Sequence, residues 1–296
     1  MRRLLYVFLL FALFWSLTRC KVKLSQKTGD SGNTYTSITD VGSDTLVNLA
    51  LAWAEAYNVI NPEISVSVTG GGSGTGLAAL INGTVDIANA SRQIKTEEIA
   101  NAQKRGFNPE EFVVAQDAIA VVVHPSNPIN QLTLEQISAI YSGKIRNWSE
   151  LGGENRPIVR LSRETNSGTH VYFLETVLRL GDSKNKTMFS PDTLLMQSSE
   201  GIIVEVSQNP NAIGYDGLGY VTSDMKVLAI GTSIDGPYIR PSVSTVNDGT
   251  YPIARDLYMY TPGEPTGAVK DYLDWIRTSP EAQSIVAKLG FVPIQR

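Results

Sequence analysis

Apolar positions in this chain change their period repeatedly, and the changes mark its elements. Ile64, Val66 and Val68 alternate with serine, the two-residue period of a strand with one buried face. Leu46, Leu49, Ala50, Trp53 and Tyr57 recur at three- and four-residue intervals, which predicts an amphipathic helix. Thr96-Glu97-Glu98 supplies the polar, acidic first turn of another helix, and Gly106 closes it. Ala118 to Val123 is an unbroken apolar run, read as a buried strand that ends at His124-Pro125. Thr133 and Gln136 have the spacing of a capping box ahead of Ile137, Ile140 and Tyr141. Two late helices are predicted over Val269 to Ile276 and Ala282 to Leu289. Strands and helices alternate from about Tyr35 onward, which implies an α/β architecture with largely parallel sheets. In such sheets ligands sit beyond the carboxyl ends of strands, where helices begin.

The first residues break this pattern. Met1-Arg2-Arg3 is basic and Leu4 to Trp15 is almost purely apolar, the layout of a signal peptide and too short for a committed membrane span. A retained membrane anchor is the other reading. Cys20 is the only cysteine, so no disulfide can form within the chain. Leu17-Thr18-Arg19-Cys20 resembles a bacterial lipobox, with Arg19 where a small residue is usual. Cys20 is expected either to carry lipid and hold the protein to a membrane, or to be an incidental residue of a cleaved leader. Residues 1–20 are therefore read as leader and residues 21–35 as a polar, flexible tether.

The bulk composition narrows the classes further. With 42% hydrophobic and 18% charged residues, the chain is of the soluble globular kind, and its 296 residues suit one large domain or two lobes. A formal net charge of −4 offers no basic stripe, which argues against a nucleic-acid partner. It does not oppose an anionic ligand, because anion sites are built locally from backbone N–H groups and one or two cations.

Three strand-to-helix turns carry that chemistry. They are Val41-Gly42-Ser43-Asp44-Thr45 before a helix near Leu46, Gly70-Gly71-Gly72-Ser73-Gly74-Thr75-Gly76 before a helix at Leu77, and Arg163-Glu164-Thr165-Asn166-Ser167-Gly168-Thr169 before a helix at Val171. The first N–H groups of a helix lack intrahelical partners, and the aligned peptide dipoles leave partial positive charge there. Glycine admits a close approach of the backbone, and Ser and Thr hydroxyls add rotatable donors. Simple capping explains any one such turn; three of them point to a shared anion. Val85-Asp86-Ile87-Ala88-Asn89-Ala90-Ser91-Arg92 adds a strand ending in Ser-Arg. Arg92 and Arg163 both fall at strand ends, and arginine's planar, permanently charged fork matches tetrahedral oxyanions. The bland reading of either arginine is an ordinary ion pair.

At these residues the chain resembles the phosphate-binding proteins of bacterial phosphate ABC transporters, over nearly all of its mature length. The most specific motif is Arg163 followed by Ser167-Gly168-Thr169. The Gly42-Ser43 turn, the Ser73 turn, Val85-Asp86-Ile87-Ala88, Ile140-Tyr141-Ser142-Gly143-Lys144 with Asn147-Trp148, Ile213-Gly214-Tyr215 and Tyr251-Pro252-Ile253-Ala254-Arg255 match in order and spacing.

The resemblance implies a two-lobed periplasmic-binding-protein fold of type II, with the ligand in a cleft between lobes and two hinge crossings, near Gln116-Asp117 and Tyr251-Pro252. Residues 36–116 with 252–296 form lobe 1 and residues 117–251 form lobe 2. The implied phosphate-binding set is Ser43, Asp44, Thr45, Ser73, Ser91, Arg92, Arg163, Ser167, Gly168 and Thr169. The implied partners are inorganic phosphate and the permease of an ABC transporter. The protein is expected to be a monomer, exported to the periplasm or the outer face of the cytoplasmic membrane, with no cofactor and no catalytic activity.

One position departs from the family. Well-known members carry an aspartate where this chain has Ser91, and that carboxylate accepts the ligand's proton and so rejects sulfate. Asp44 in the first turn is the candidate replacement, against the alternative that it only caps the helix.

Three other functions compete. A binding protein for sulfate, molybdate or tungstate would share the fold. A phosphate-ester hydrolase is opposed by the lack of a P-loop Lys-Ser/Thr after Gly76 and of a G-x-S-x-G elbow at Ser73 or Ser167. A surface signalling lipoprotein leaves the three turns unexplained. His170 is read as a partly exposed first-turn residue, Trp53, Tyr141, Trp148 and Trp275 as packing, and Tyr215 and Tyr220 as residues flanking Gly217 and Gly219 that could line the cleft.

Overall fold

The computed structural model describes residues 36–294. The expected leader, the tether and Cys20 lie outside the described residues.

The first half of the fold alternates strand and helix. Strand β1 (Thr36–Gly42) leads to helix α1 (Asp44–Ile60), β2 (Ile64–Thr69) to α2 (Ser73–Ile81), and β3 (Ile87–Ala90) to α3 (Thr96–Lys104). In α1 the periodic residues Leu46, Leu49, Ala50, Trp53 and Tyr57 are all buried, and Trp53 donates its indole N–H to Ala282 O (2.9 Å). Strands β1–β2 and β1–β3 pair in parallel.

Strand β4 (Glu110–Val123) is longer than the apolar run Ala118 to Val123 suggests. Its first part carries charged and polar residues, so only its second part stands out as a hydrophobic string. Beyond it come β5 (Gln131–Thr133), α4 (Leu134–Tyr141), β6 (Val159–Arg163), α5 (Gly168–Phe173), β7 (Leu194–Met196), α6 (Ser199–Gln208) and β8 (Ala212–Gly217). The capping box at α4 is present: Thr133 Oγ1 accepts from Gln136 N (3.1 Å), and Gln136 Oε1 accepts from Thr133 N (2.8 Å). Short strands β9 (Lys226–Val227), β10 (Ala229–Gly231) and β11 (Tyr238–Ile239) precede α7 (Val243–Asn247), β12 (Ala254–Thr261), α8 (Gly267–Thr278) and α9 (Pro280–Lys288). Residues Val269 to Ile276 and Ala282 to Lys288 fall within those last two helices.

The strands form a nine-stranded sheet in the order β2-β1-β3-β12-β4-β8-β6-β7, with β9 added against β4, and a three-stranded sheet β11-β10-β5. The sheet is mixed rather than largely parallel. Its parallel pairs lie towards the two ends, while β4 and β12 pair antiparallel with each other and with their neighbours β8, β9 and β3. Repeating strand–helix units give parallel pairs; β4 and β12 are long-range partners instead, and their direction is not encoded in local periodicity.

The fold is mixed α/β and divides into two lobes. Strand β4 shows how the lobes join. Residues up to Ala118 pair with β12, and residues from Ile119 onward pair with β8. Separate apolar clusters lie to either side, one around Leu46, Trp53, Leu257 and Tyr272, the other around Ile119, Tyr141, Phe173 and Ile213. Tyr141, Trp53 and Trp148 are core residues, and Trp275 packs partly buried against Tyr57.

Candidate functional site

All three polar turns converge on the cleft between the two apolar clusters. Each helix starts earlier than hydrophobic periodicity indicates, at Asp44, Ser73 and Gly168 rather than at Leu46, Leu77 and Val171. Thr45 and Thr169 are therefore first-turn residues, on the stretch of helix where N–H groups lack intrahelical partners. Ser43, Thr45, Ser73, Ser91, Ser167 and Thr169 are all buried.

The turns are shaped from below by close backbone contacts. Gly42 has φ 151°, and a side chain there would overlap Asn89 O. The tight approach lets Ser43 N–H donate to Asn89 O (3.0 Å) and Gly72 N–H to Gly42 O (2.8 Å), tying the first two turns to β3. The glycine run of the second turn serves the opposite lobe. A Cβ on Gly72 or Gly74 would stand 2.9 or 3.1 Å from Asn166 O. Gly74 N–H donates to that oxygen (2.8 Å), and Asn166 Nδ2 donates to Gly71 O (2.8 Å).

Hydroxyls meet across the cleft. Thr45 Oγ1 lies 2.9 Å from Thr169 Oγ1. Ser73 Oγ lies 3.3 Å from Ser91 Oγ and accepts from Ser91 N–H (3.0 Å). Gly168 is seated directly over these two serines. Ser167 caps α5, accepting from His170 N–H (3.4 Å).

Arg163 is one buried cation at the cleft. It is 1% exposed. Its Nη2 donates to Asp44 Oδ2 (2.7 Å) and Gln197 O (2.9 Å), its Nη1 to Ser199 Oγ (2.8 Å), and Asp216 Oδ2 stands 3.6 Å away. Burial pushes the Asp216 carboxyl above the usual range, while Arg163 and two hydrogen-bond donors, Gly217 N–H and Ser199 O–H, pull against it. Ser43 holds the N-cap of α1 without a side-chain bond, and Asp44 is the first residue inside the helix. The Asp44 carboxylate links Arg163 to Gly71 N–H (2.8 Å), and its carbonyl accepts from Tyr220 O–H (2.6 Å).

Arg92 is not brought into this arrangement. It makes a bidentate pair with Glu98 at the start of α3 (2.8 and 2.7 Å) and donates to Gln93 O. Burial works against the Glu98 charge, but the Arg92 pair and Lys95 N–H hold its carboxyl below its ordinary value. The strand ends at Ala90, so Ser91 turns into the cleft and the next side chain turns away from it.

A different arginine fills the gap. Arg255 at the start of β12 donates to Thr169 Oγ1 (3.0 Å), Thr45 Oγ1 (3.5 Å), Ser91 O (2.8 Å) and Asp117 Oδ2 (2.9 Å). Burial raises the Asp117 carboxyl and Arg255 lowers it, with the raised direction prevailing. The only trace of Arg255 in the sequence is its place at the end of Tyr251-Pro252-Ile253-Ala254-Arg255.

Two other residues sit differently from expectation. His170 is buried rather than partly exposed, with Nδ1 3.0 Å from Ser162 Oγ and its ring tilted over Phe189 at 4.6 Å. Burial lowers its pKa. Tyr215 is a core residue, bonded to Ser162 Oγ (2.6 Å) and stacked on Phe173, so only Tyr220 reaches the cleft. Among the described residues no group of His, Cys, Asp and Glu could hold a metal ion.

Known proteins match the chain over most of its length. The PBP superfamily domain matches residues 28–281. The phosphate-binding protein PstS of Pseudomonas aeruginosa is 34% identical over 282 residues, covering 90% of this chain and 84% of the relative. PstS of Bacillus subtilis is 33% identical over 261 residues, covering 87% and 81%. A Clostridium perfringens substrate-binding protein assigned to a phosphate ABC transporter, solved with bound phosphate, superposes with a TM-score of 0.78 at 32% identity, covering 88% of this chain and 100% of that one.

Proposed function

The chain belongs to the PBP superfamily, among its PstS-type phosphate-binding proteins, and we propose that it captures inorganic phosphate outside the cytoplasmic membrane and delivers it to the permease of an ABC transporter. The observation that carries the reading is the convergence of three helix first turns and the buried Arg163 on one interlobe cleft. Partial positive charge, unpartnered N–H groups and hydroxyl donors meet there, which is what a tetrahedral oxyanion requires.

Ser43, Asp44, Thr45, Ser73 and Ser91 approach the anion from lobe 1, and Arg163, Ser167, Gly168 and Thr169 from lobe 2. The hinge lies where β4 exchanges β12 for β8, between Ala118 and Ile119, with the return crossing ahead of β12. Closure follows from differential affinity, because only the closed form brings both sets to the ligand. The basic and apolar leader supports export, and Cys20 is the point at which lipid would hold the protein to the membrane.

Discrimination against sulfate falls to Asp44. Its oxygens accept from Gly71 N–H and Arg163, and a carboxylate oxygen has room for more than one donor. A ligand that brings its own proton satisfies that acceptor; sulfate does not. Binding without turnover is the companion reading. Ser167 Oγ faces the His170 backbone N–H, while the imidazole Nδ1 is engaged with Ser162, so no general base is set against that serine.

Calorimetric titration of the chain, stripped of bound anion, with phosphate and then sulfate tests the function. The expected result is tight one-to-one phosphate binding that excess sulfate does not displace. Equal binding of sulfate would assign the site to oxyanions in general, and no phosphate binding would refute the reading. Hydrolysis of a chromogenic phosphate ester would contradict the absence of turnover.

A further inference from the structure

Arg255 stands at the junction of the lobes and touches the hydroxyls of both. Its Nη1 donates to Ser91 O (2.8 Å), and its Nε and Nη2 donate to Asp117 Oδ2 (3.3 and 2.9 Å). The same Nη2 reaches Thr169 Oγ1 (3.0 Å) and Thr45 Oγ1 (3.5 Å). The guanidinium also lies over the Tyr172 ring, 5.5 Å from its centroid. Arg255 is thus fastened at the hinge by a buried carboxylate, with one corner of its fork offered to two threonines.

The two threonine oxygens are 2.9 Å apart, and among the described residues their hydrogen-bond partners are each other and Arg255. A guanidinium donates and never accepts. One Nη2 proton goes to Asp117, so the other is shared between the two oxygens, more closely held by Thr169 than by Thr45; both oxygens accept from the arginine, and one O–H is used between them. The second O–H has no acceptor in the protein. The serine pair obeys the same count. Ser91 N–H donates to Ser73 Oγ (3.0 Å), and the two serine oxygens, 3.3 Å apart, share one proton and leave the other over.

We infer that Arg255 is a positioning residue: by donating to Thr45 and Thr169 it turns one hydroxyl proton of that pair out of the protein and makes the pair an obligate donor to an anion in the cleft. The inference rests on the phosphate reading of the site. Arg255 then acts on the ligand through the hydroxyls, whereas Arg163 supplies charge from the opposite wall.

A double-mutant cycle on the full chain, read by calorimetric titration with inorganic phosphate, separates these roles. R255M alone would strand the Asp117 carboxylate in the interior, so the pair is removed together as D117N/R255M. Its partner is T45V/T169V, which deletes the hydroxyls and keeps the branched shape. Each double variant should weaken phosphate about 10- to 100-fold, the worth of a hydrogen bond to a charged group. The quadruple variant should be scarcely weaker than either, because the arginine has nothing left to act through. T169S, which restores a hydroxyl, should keep the full arginine effect.

Losses that simply multiply would overturn the inference and make Arg255 a direct charge partner or a purely structural one. Melting of each variant without ligand monitors the fold. Should D117N/R255M fail to melt cooperatively, R255K takes its place in the cycle, since a single ammonium lacks the fork that spans both partners. A wild-type chain that binds no phosphate would overturn the functional reading and this inference together, whereas an additive cycle in a phosphate-binding chain overturns the inference alone.

Discussion

Gly168 offers a clean test of whether this cleft must shut to bind. It is the first residue of α5, where alanine fits the backbone at least as well as glycine, so G168A leaves the local helix intact. A methyl at that position would stand 2.6 Å from Ser91 Oγ and 2.9 Å from Ser73 Cβ, with Ser73 Oγ nearer still. Rotation of a hydroxyl cannot relieve the contact with Ser73 Cβ. Non-bonded carbons settle at about 3.5–4.0 Å, so the two walls must part by roughly 1 Å. Parting strains the bridges made in the closed arrangement, including Thr45 to Thr169 (2.9 Å) and Gly74 to Asn166 (2.8 Å). Overpacking of this kind costs about 1–3 kcal/mol. Because the cost falls on the closed form alone, it becomes a loss of apparent phosphate affinity of about 5- to 150-fold. Calorimetric titration measures that loss, and melting of the ligand-free protein should move by no more than about 2 °C if the open form carries no penalty. G168A binding phosphate within twofold of wild type would refute the argument that the walls must meet at this glycine.

Further predictions follow from the same geometry. R163K keeps the charge but loses the fork, and should weaken phosphate by about 10- to 100-fold; R163A strands Asp216 and should also lower stability by about 3–5 kcal/mol in denaturant melts. D44N should reduce the phosphate-to-sulfate affinity ratio by about tenfold or more, and an unchanged ratio in competition titrations would remove Asp44 as the proton acceptor. Asp40 is fully buried beside Asn89, and burial pushes its carboxyl from 3.8 up to about 8. The folded state therefore holds this proton more tightly than the unfolded chain, so its stabilising effect is complete below about pH 4 and is lost as pH rises towards about 8. D40N should flatten the fall of the unfolding free energy across that window, by several kcal/mol at most in denaturant melts, and an equally steep fall would place the titrating group elsewhere.

How much of this was legible beforehand depends on the range of the interaction concerned. Helix α1 declared itself because its buried residues recur along one face, and the α4 cap because both partners lie three residues apart. The three anion turns were legible for the same reason: glycine, hydroxyl residues and a helix start are neighbours in sequence as well as in space. Arg163 was found through its short spacing to Ser167-Gly168-Thr169.

Other features depend on contacts that no local pattern records. On paper Arg92 is the cation the strand end offers, and Arg255 is only the last residue of a matched motif. The choice between them was made by direction: one fork closes on Glu98 six residues away, and the other reaches Ser91 across 164 residues of chain. The glycine run at Gly70 to Gly76 reads as a ligand cradle, yet Gly72 and Gly74 are small because Asn166 of the facing lobe presses on them. His170 and Tyr215 turned inward because Ser162 offers both a hydrogen bond in an otherwise apolar interior. The sheet became mixed once β4 and β12, more than a hundred residues apart, paired antiparallel. Sequence alone determined where the chain presents anion-seeking turns, since periodicity, capping and backbone freedom act over a few residues. Tertiary structure decided which side chains meet there and what each hydrogen bond is used for, since those depend on the facing lobe.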